Sequence, residues 1–100
     1  MKTINMGLNT EPYWVRADEV IERWKANKNS TMVECWEKMR NDSLELRNKI
    51  IETVEAEGSC GLNWTCTGET LFNILANQWS SAMPQYRFEI SRYTCKVYQK

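Results

Sequence analysis

The stretch Thr31 to Glu57, TMVECWEKMRNDSLELRNKIIETVEAE, constrains this chain more than any other. Met32, Trp36, Met39, Ser43, Leu46, Ile50 and Val54 recur at helical spacing, with Cys35 close beside them, which makes one face of a long amphipathic helix. Thr31 and Glu34 have the T-x-x-E spacing of a capping box, and Gly58 supplies a residue able to turn left-handed after the last turn. Asp42 and Glu45 could open a second helix in the same way. Because Met39, Ser43, Leu46 and Ile50 stay in phase through that point, one helix, bent at most, is the expectation. Glu34 with Lys38 and Glu45 with Lys49 have the spacing of favourable pairs on its outer side.

With Val33, Leu44 and Ile51 included, the apolar face spans about half the circumference, wider than the ~100° that docking on one core requires. A second copy of the chain packed along this helix is the simplest cover for the surplus, and a different protein the next. A homodimer or other homo-oligomer is therefore expected.

A chain of 100 residues, 42% of them hydrophobic, suits one domain, residues 1–100. Ile4, Met6 and Leu8 alternate with Thr3, Asn5 and Gly7 as in a half-buried strand, and Asn9 to Pro12 reads as a turn. Trp14, Ala17, Val20, Ile21 and Trp24 share a helical face, which predicts a short helix from about Ala17 to Ala26. Leu62, Trp64 and Cys66 alternate as a strand, and Thr67-Gly68 can open a helix carrying Leu71, Phe72, Leu75 and Trp79, ended by Ser80 to Gln85. Tyr86 to Tyr98 is rich in aromatic and β-branched residues, but its apolar parity switches between Ile90 and Tyr93. A single strand with a bulge near Arg92 would account for the switch, and two short strands joined there are the alternative. The fold class that follows is α+β, with a small three-stranded sheet under one long helix (31–57) and two shorter ones.

The chemistry is defined first by absences. There is no histidine, no Gly-rich phosphate loop and no nucleophile elbow, so most hydrolytic and phosphoryl-transfer mechanisms lack their groups. A non-enzymatic protein without cofactor is expected. Lysine plus arginine balances aspartate plus glutamate at 13 each, which makes nucleic acid an improbable partner. No window resembles a signal peptide or a membrane span, so a cytoplasmic location is expected and the triplets at Asn29, Asn41 and Asn63 carry no weight as glycosylation sites. Cys35, Cys60, Cys66 and Cys95 lack the close pairs of a zinc site, and buried free thiols are the favoured reading.

Two features point to binding. Five tryptophans, Trp14, Trp24, Trp36, Trp64 and Trp79, are more than so small a core is expected to bury, so one or two should be surface anchors. Arg40 and Arg47 stack two turns apart beside Leu44 and Ile51, and from Gly58 to Tyr86 the only charged residue is Glu69. Trp, Tyr and Arg are the residues that dominate interface energies. Trp36, Arg40, Leu44, Arg47, Ile51, Trp64 and Tyr86 are accordingly the candidate binding residues, and the partner is expected to be another protein that the chain modulates or inhibits. Phages and other mobile elements use small products of this kind as host-directed inhibitors. The alternative is an oligomeric binder of a small anion such as a nucleotide, held by Arg40 and Arg47 and stacked on Trp64 and Tyr86.

Overall fold

A computed structural model describes residues 1–7, 10–65 and 68–100. The elements are strand β1 (Thr3–Asn5), a 3-10 turn (Tyr13–Val15), helices α1 (Ala17–Ala26) and α2 (Ser30–Glu57), strand β2 (Ser59–Asn63), helix α3 (Glu69–Ala82) and strands β3 (Tyr86–Ile90) and β4 (Cys95–Gln99). The class is α+β, with four strands in place of the three expected.

The fourth strand comes from the Tyr86 to Tyr98 segment. It is a hairpin and carries no bulge: Ser91 donates its N–H to the Thr94 carbonyl (2.8 Å), and Phe88 pairs with Val97 and Ile90 with Cys95 across the turn. Opposed residues of an antiparallel pair project to the same face, so a four-residue reversal brings Tyr86, Phe88 and Ile90 onto the same side as Cys95 and Val97. The parity switch is the mark of that reversal.

The sheet order is β1-β2-β4-β3. β1 is parallel to β2, and β4 is antiparallel to both of its neighbours, so β1, β2 and β3 run one way and β4 the other. Close approach at the β1–β2 seam uses Gly61, whose N–H bonds the Lys2 carbonyl (2.8 Å); a Cβ there would stand 3.0 Å from the Thr3 hydroxyl. The helices cover one face only. Cys60, Leu62, Cys95 and Val97 pack there against Ile50 and Val54 of α2 and Phe72, Leu75, Ala76 and Trp79 of α3. Leu8, part of the expected first strand, lies outside the described residues.

α2 runs unbroken for 28 residues through Asn41, Asp42 and Ser43. Ser43 does not interrupt it because its hydroxyl, fully buried, donates back to the Arg40 carbonyl (2.9 Å). The helix starts slightly earlier than the capping box suggests, since Asn29 is the N-cap and accepts from the Met32 N–H (3.1 Å). Gly58 ends it at φ 81° with its N–H on the Val54 carbonyl. On the outer side Lys38 pairs forward with Asp42 (2.8 Å) and not back to Glu34.

Much of the wide apolar face of α2 is covered within the chain. Its carboxy-terminal half lies on the sheet, and its amino-terminal half lies against α1, whose Ala17, Val20 and Ile21 are buried outside the main core, and against the 3-10 turn. α1 and the 3-10 turn cover part of the surplus that suggested a second copy along α2, and Met32, Val33, Met39 and Leu44 stay half-buried.

Gly58 has open space around it, so the cost of a side chain there is backbone strain alone. Gly58→Ala is expected to lower stability by about 1–2 kcal/mol and Asn29→Ala by about 1 kcal/mol. Urea denaturation followed by circular dichroism measures both, and an unchanged midpoint for either would show that its cap does not hold α2.

Candidate functional site

Pro12 fixes its own φ and leads into the 3-10 turn, where the Val15 and Arg16 N–H groups bond the carbonyls three residues back (3.2 and 3.3 Å). At three residues per turn, successive side chains leave in three directions. Tyr13 packs at right angles to Trp36 on α2, with ring centres 5.8 Å apart. Trp14 points the other way, against Trp79 of α3 (4.9 Å) and beneath the Arg47 guanidinium (5.6 Å). Val15 is left facing solvent, 58% exposed.

Between this turn, Trp36 and the end of α3 lies a cleft of about 250 Å³, walled by Pro12, Tyr13, Val15, Gln78, Ser81 and Ala82 and flanked by Glu11 and Arg16. Partial burial, with the nearby Glu11 carboxylate adding to it, pushes the Tyr13 phenol above its ordinary range, so it is a neutral donor at physiological pH. The wall continues along α3. Leu71, Ile74, Gln78 and Ser81 follow one another at helical spacing, and Leu71 and Ile74 are 37% and 49% exposed. Past Glu69 the helix has no charged residue. A more open hollow of about 340 Å³ at the turn between α1 and α2 is lined by Lys25, Lys28, Asn29, Ser30, Val33 and Glu34 and has no aromatic wall.

Of the residues expected to bind, Trp36 forms the cleft. Arg40 reaches across to Asp18 of α1 (3.5 Å), and Arg47 covers Trp14, so both arginines fasten the amino-terminal segment to α2. Leu44 is half-buried, and Ile51 packs on the core. Trp64 and Tyr86 are 2% and 7% exposed and present no surface to a partner. The Trp64 ring meets Phe72 edge-on (5.2 Å), and the Tyr86 hydroxyl donates to Glu55 (2.8 Å). Arg40, Arg47, Trp64 and Tyr86 therefore engage four different neighbourhoods and do not converge on one anion.

None of the five tryptophans stands free in solvent: Trp64 and Trp79 are buried, and Trp14, Trp24 and Trp36 are half-buried. Among the described residues the exposed large apolar side chains are elsewhere, at Met1, Val15, Leu71, Ile74 and Tyr93. Leu71, expected on the inner side of its helix, lies at the rim. Ile74 falls opposite Phe72 and Ala76 on the wheel, and that out-of-phase position was the available sign of an apolar outer face.

The thiols divide into two kinds. Cys60 and Cys95 are buried on the inner face of the sheet, and burial pushes them up to about 11 and about 12, so they are protonated and inert at neutral pH. Cys35, expected beside the apolar stripe, is exposed, and Cys66 lies outside the described residues. Among the described residues no three Cys, Asp or Glu side chains gather as a metal site, and no helix is long and apolar enough to cross a membrane. No family model, curated protein or solved structure matches this chain.

In a Cys66→Ala background, one thiol should react with a disulfide reagent in the native protein and two more only on denaturation. Cys60 and Cys95 also make stability depend on pH. Each keeps its proton in the fold above the ordinary thiol value of 9.0, so their contribution is complete below about pH 9 and is lost as pH rises toward 11 and beyond. Chemical denaturation between pH 8 and 11 should show stability falling, less steeply when Cys95 is replaced by valine; a rising curve would contradict the buried, protonated assignment.

Proposed function

We propose that this chain is a small binding protein without catalysis of its own, which docks on another protein and modulates or blocks it. The observation that carries this reading is the continuity of the cleft with the uncharged outer face of α3. Val15, Tyr13 and Trp36 flank a recess of about 250 Å³, of the order of one large side chain, and Leu71 and Ile74 extend the apolar surface beside it. Single exposed apolar residues are ordinary on a protein surface, whereas an apolar patch beside an aromatic-walled recess is the form of an interface centre with a pocket for an anchor residue.

The rim fits the same reading. Glu11 and Arg16 flank the recess with opposite charges, which can orient a partner without demanding that it be acidic or basic. The aromatic wall is held in place before any partner arrives, since Tyr13 already rests on Trp36 and Trp14 on Trp79, so little order has to be gained on binding. A chain of this kind acts by occupying a surface that its target needs, which is how an inhibitor made by a phage or another mobile element would work. A cytoplasmic target belongs to the same proposal.

Val15→Asp and Ile74→Asp place charge on exposed positions, so each variant should fold with an unchanged melting temperature. Both are expected to lose a partner that the parent protein retains on affinity purification from its own host, by at least tenfold, while Arg23→Ala, on the outer side of α1, keeps it. Hydrogen exchange of the isolated complex should show new protection in α3 and at the 3-10 turn. Retention of the same partner by both aspartate variants would remove this surface from the interface.

A further inference from the structure

β3 is an edge strand, and its sequence YRFEI decides what can pair with it. The bond from the Ser91 N–H to the Thr94 carbonyl sets the alternation along the hairpin. Counting back in steps of two, Glu89 and Arg87 exchange their backbone bonds with Lys96 and Tyr98 of β4. The N–H and C=O groups of Phe88 and Ile90 therefore point away from the sheet, as does the Tyr86 carbonyl. Among the described residues no hydrogen bond reaches those outward groups of Phe88 and Ile90.

Proteins usually guard such an edge with charge, and charge of a single sign repels a second edge. β3 carries one charge of each sign. Arg87 and Glu89 stand two residues apart on the open face of the sheet, 3.3 Å from one another and well exposed, with Phe88 midway between them. That arrangement is self-complementary.

We propose that two copies of this chain join edge to edge through β3, antiparallel, about a two-fold axis at Phe88 and normal to the sheet, so that two four-stranded sheets become one of eight. In this register Phe88 lies opposite Phe88 of the second copy, and their outward N–H and C=O groups form a mutually bonded pair. The Ile90 N–H meets the Tyr86 carbonyl of the other chain, which gives four backbone bonds in all. Arg87 faces Glu89 of the second copy, twice, at the non-bonded positions where opposed side chains are closest. Moving the register one step either way sets Arg87 against Arg87 or Glu89 against Glu89, and like charges directly opposed are destabilising. The charges thus select both the partner and the alignment. Phe88 and Ile90, half-buried at the margin of the core, meet their counterparts on the helix-covered side.

This dimer is independent of the docking surface described above and differs from pairing along α2. Sedimentation velocity and native mass spectrometry of the full chain test it. The parent protein should run at twice 11.8 kDa. Arg87→Glu alone and Glu89→Arg alone should each be monomeric with an unchanged circular dichroism spectrum, because each opposes two like-charged pairs. An equimolar mixture of the two variants should re-form a dimer containing one of each, and the double swap R87E/E89R should dimerise by itself. A parent protein that stays monomeric at ~1 mM, a dimer that survives both single changes, or a mixture that fails to combine would each overturn the proposal; association with a strand of some other protein at this edge would appear as the first of these.

Discussion

A helix of 28 residues rises ~42 Å, and the five-residue strands beneath it extend only ~17 Å. That mismatch of length governs the molecule. The part of α2 lying on the sheet buries Ile50 and Val54 in the core, while the part beyond it would expose its apolar side to water unless something else packed there. α1 is folded back along that overhang, tied at its far end by the Asn29 N–H on the Trp24 carbonyl (3.0 Å) and near its start by Asp18 with Arg40. The long axis of the molecule, 45 Å, is close to the length of α2 itself.

The junction between overhang and sheet is held by a small number of polar contacts in an apolar setting. The Thr10 carbonyl accepts from the indole nitrogens of both Trp64 (3.3 Å) and Trp79 (3.1 Å), so one backbone oxygen ties the segment before the 3-10 turn to the end of β2 and to α3. A buried indole N–H without a partner would cost roughly 1–3 kcal/mol. With both satisfied, Trp14 can rest on Trp79, and Arg47 can lie over Trp14. The cleft exists because this junction holds Tyr13 and Val15 at a set distance from α3.

What was legible in the sequence was local. The phase of Met39, Ser43, Leu46 and Ile50 identified α2 as one helix, and Ala17 to Ala26 was readable from its own periodicity. Gly58 ended α2 where a left-handed residue was needed. The sheet was harder because the reversal at Ser91 to Thr94 contains no glycine or proline to announce it, leaving only a change of parity. The candidate site was less legible still. Trp36 is legible from the long helix, but only side-chain type marks Trp64 and Tyr86 for binding, and type does not say whether an indole N–H or a phenol will find its acceptor inside the fold. Arg40 and Arg47 were likewise visible as a pair, while their use depended on Asp18 and Trp14, which only the folding back of the amino-terminal segment brings near. Val15 and Ile74 belong to elements whose outward sides are defined by what covers the inward ones.

The parallel pairing of β1 with β2 joins the first strand to one that follows it only after two helices, with Thr3 opposite Gly61. Closing so long a loop costs chain entropy before any contact compensates it, whereas the α1–α2 hairpin and the β3–β4 hairpin form from near neighbours. β1 is made before its partner, and until β2 exists Ile4 and Met6 have no sheet to join. Because Thr10 stands only five residues after β1 in sequence, the long-range closure that docks β1 also bears on the junction that holds the aromatic cleft.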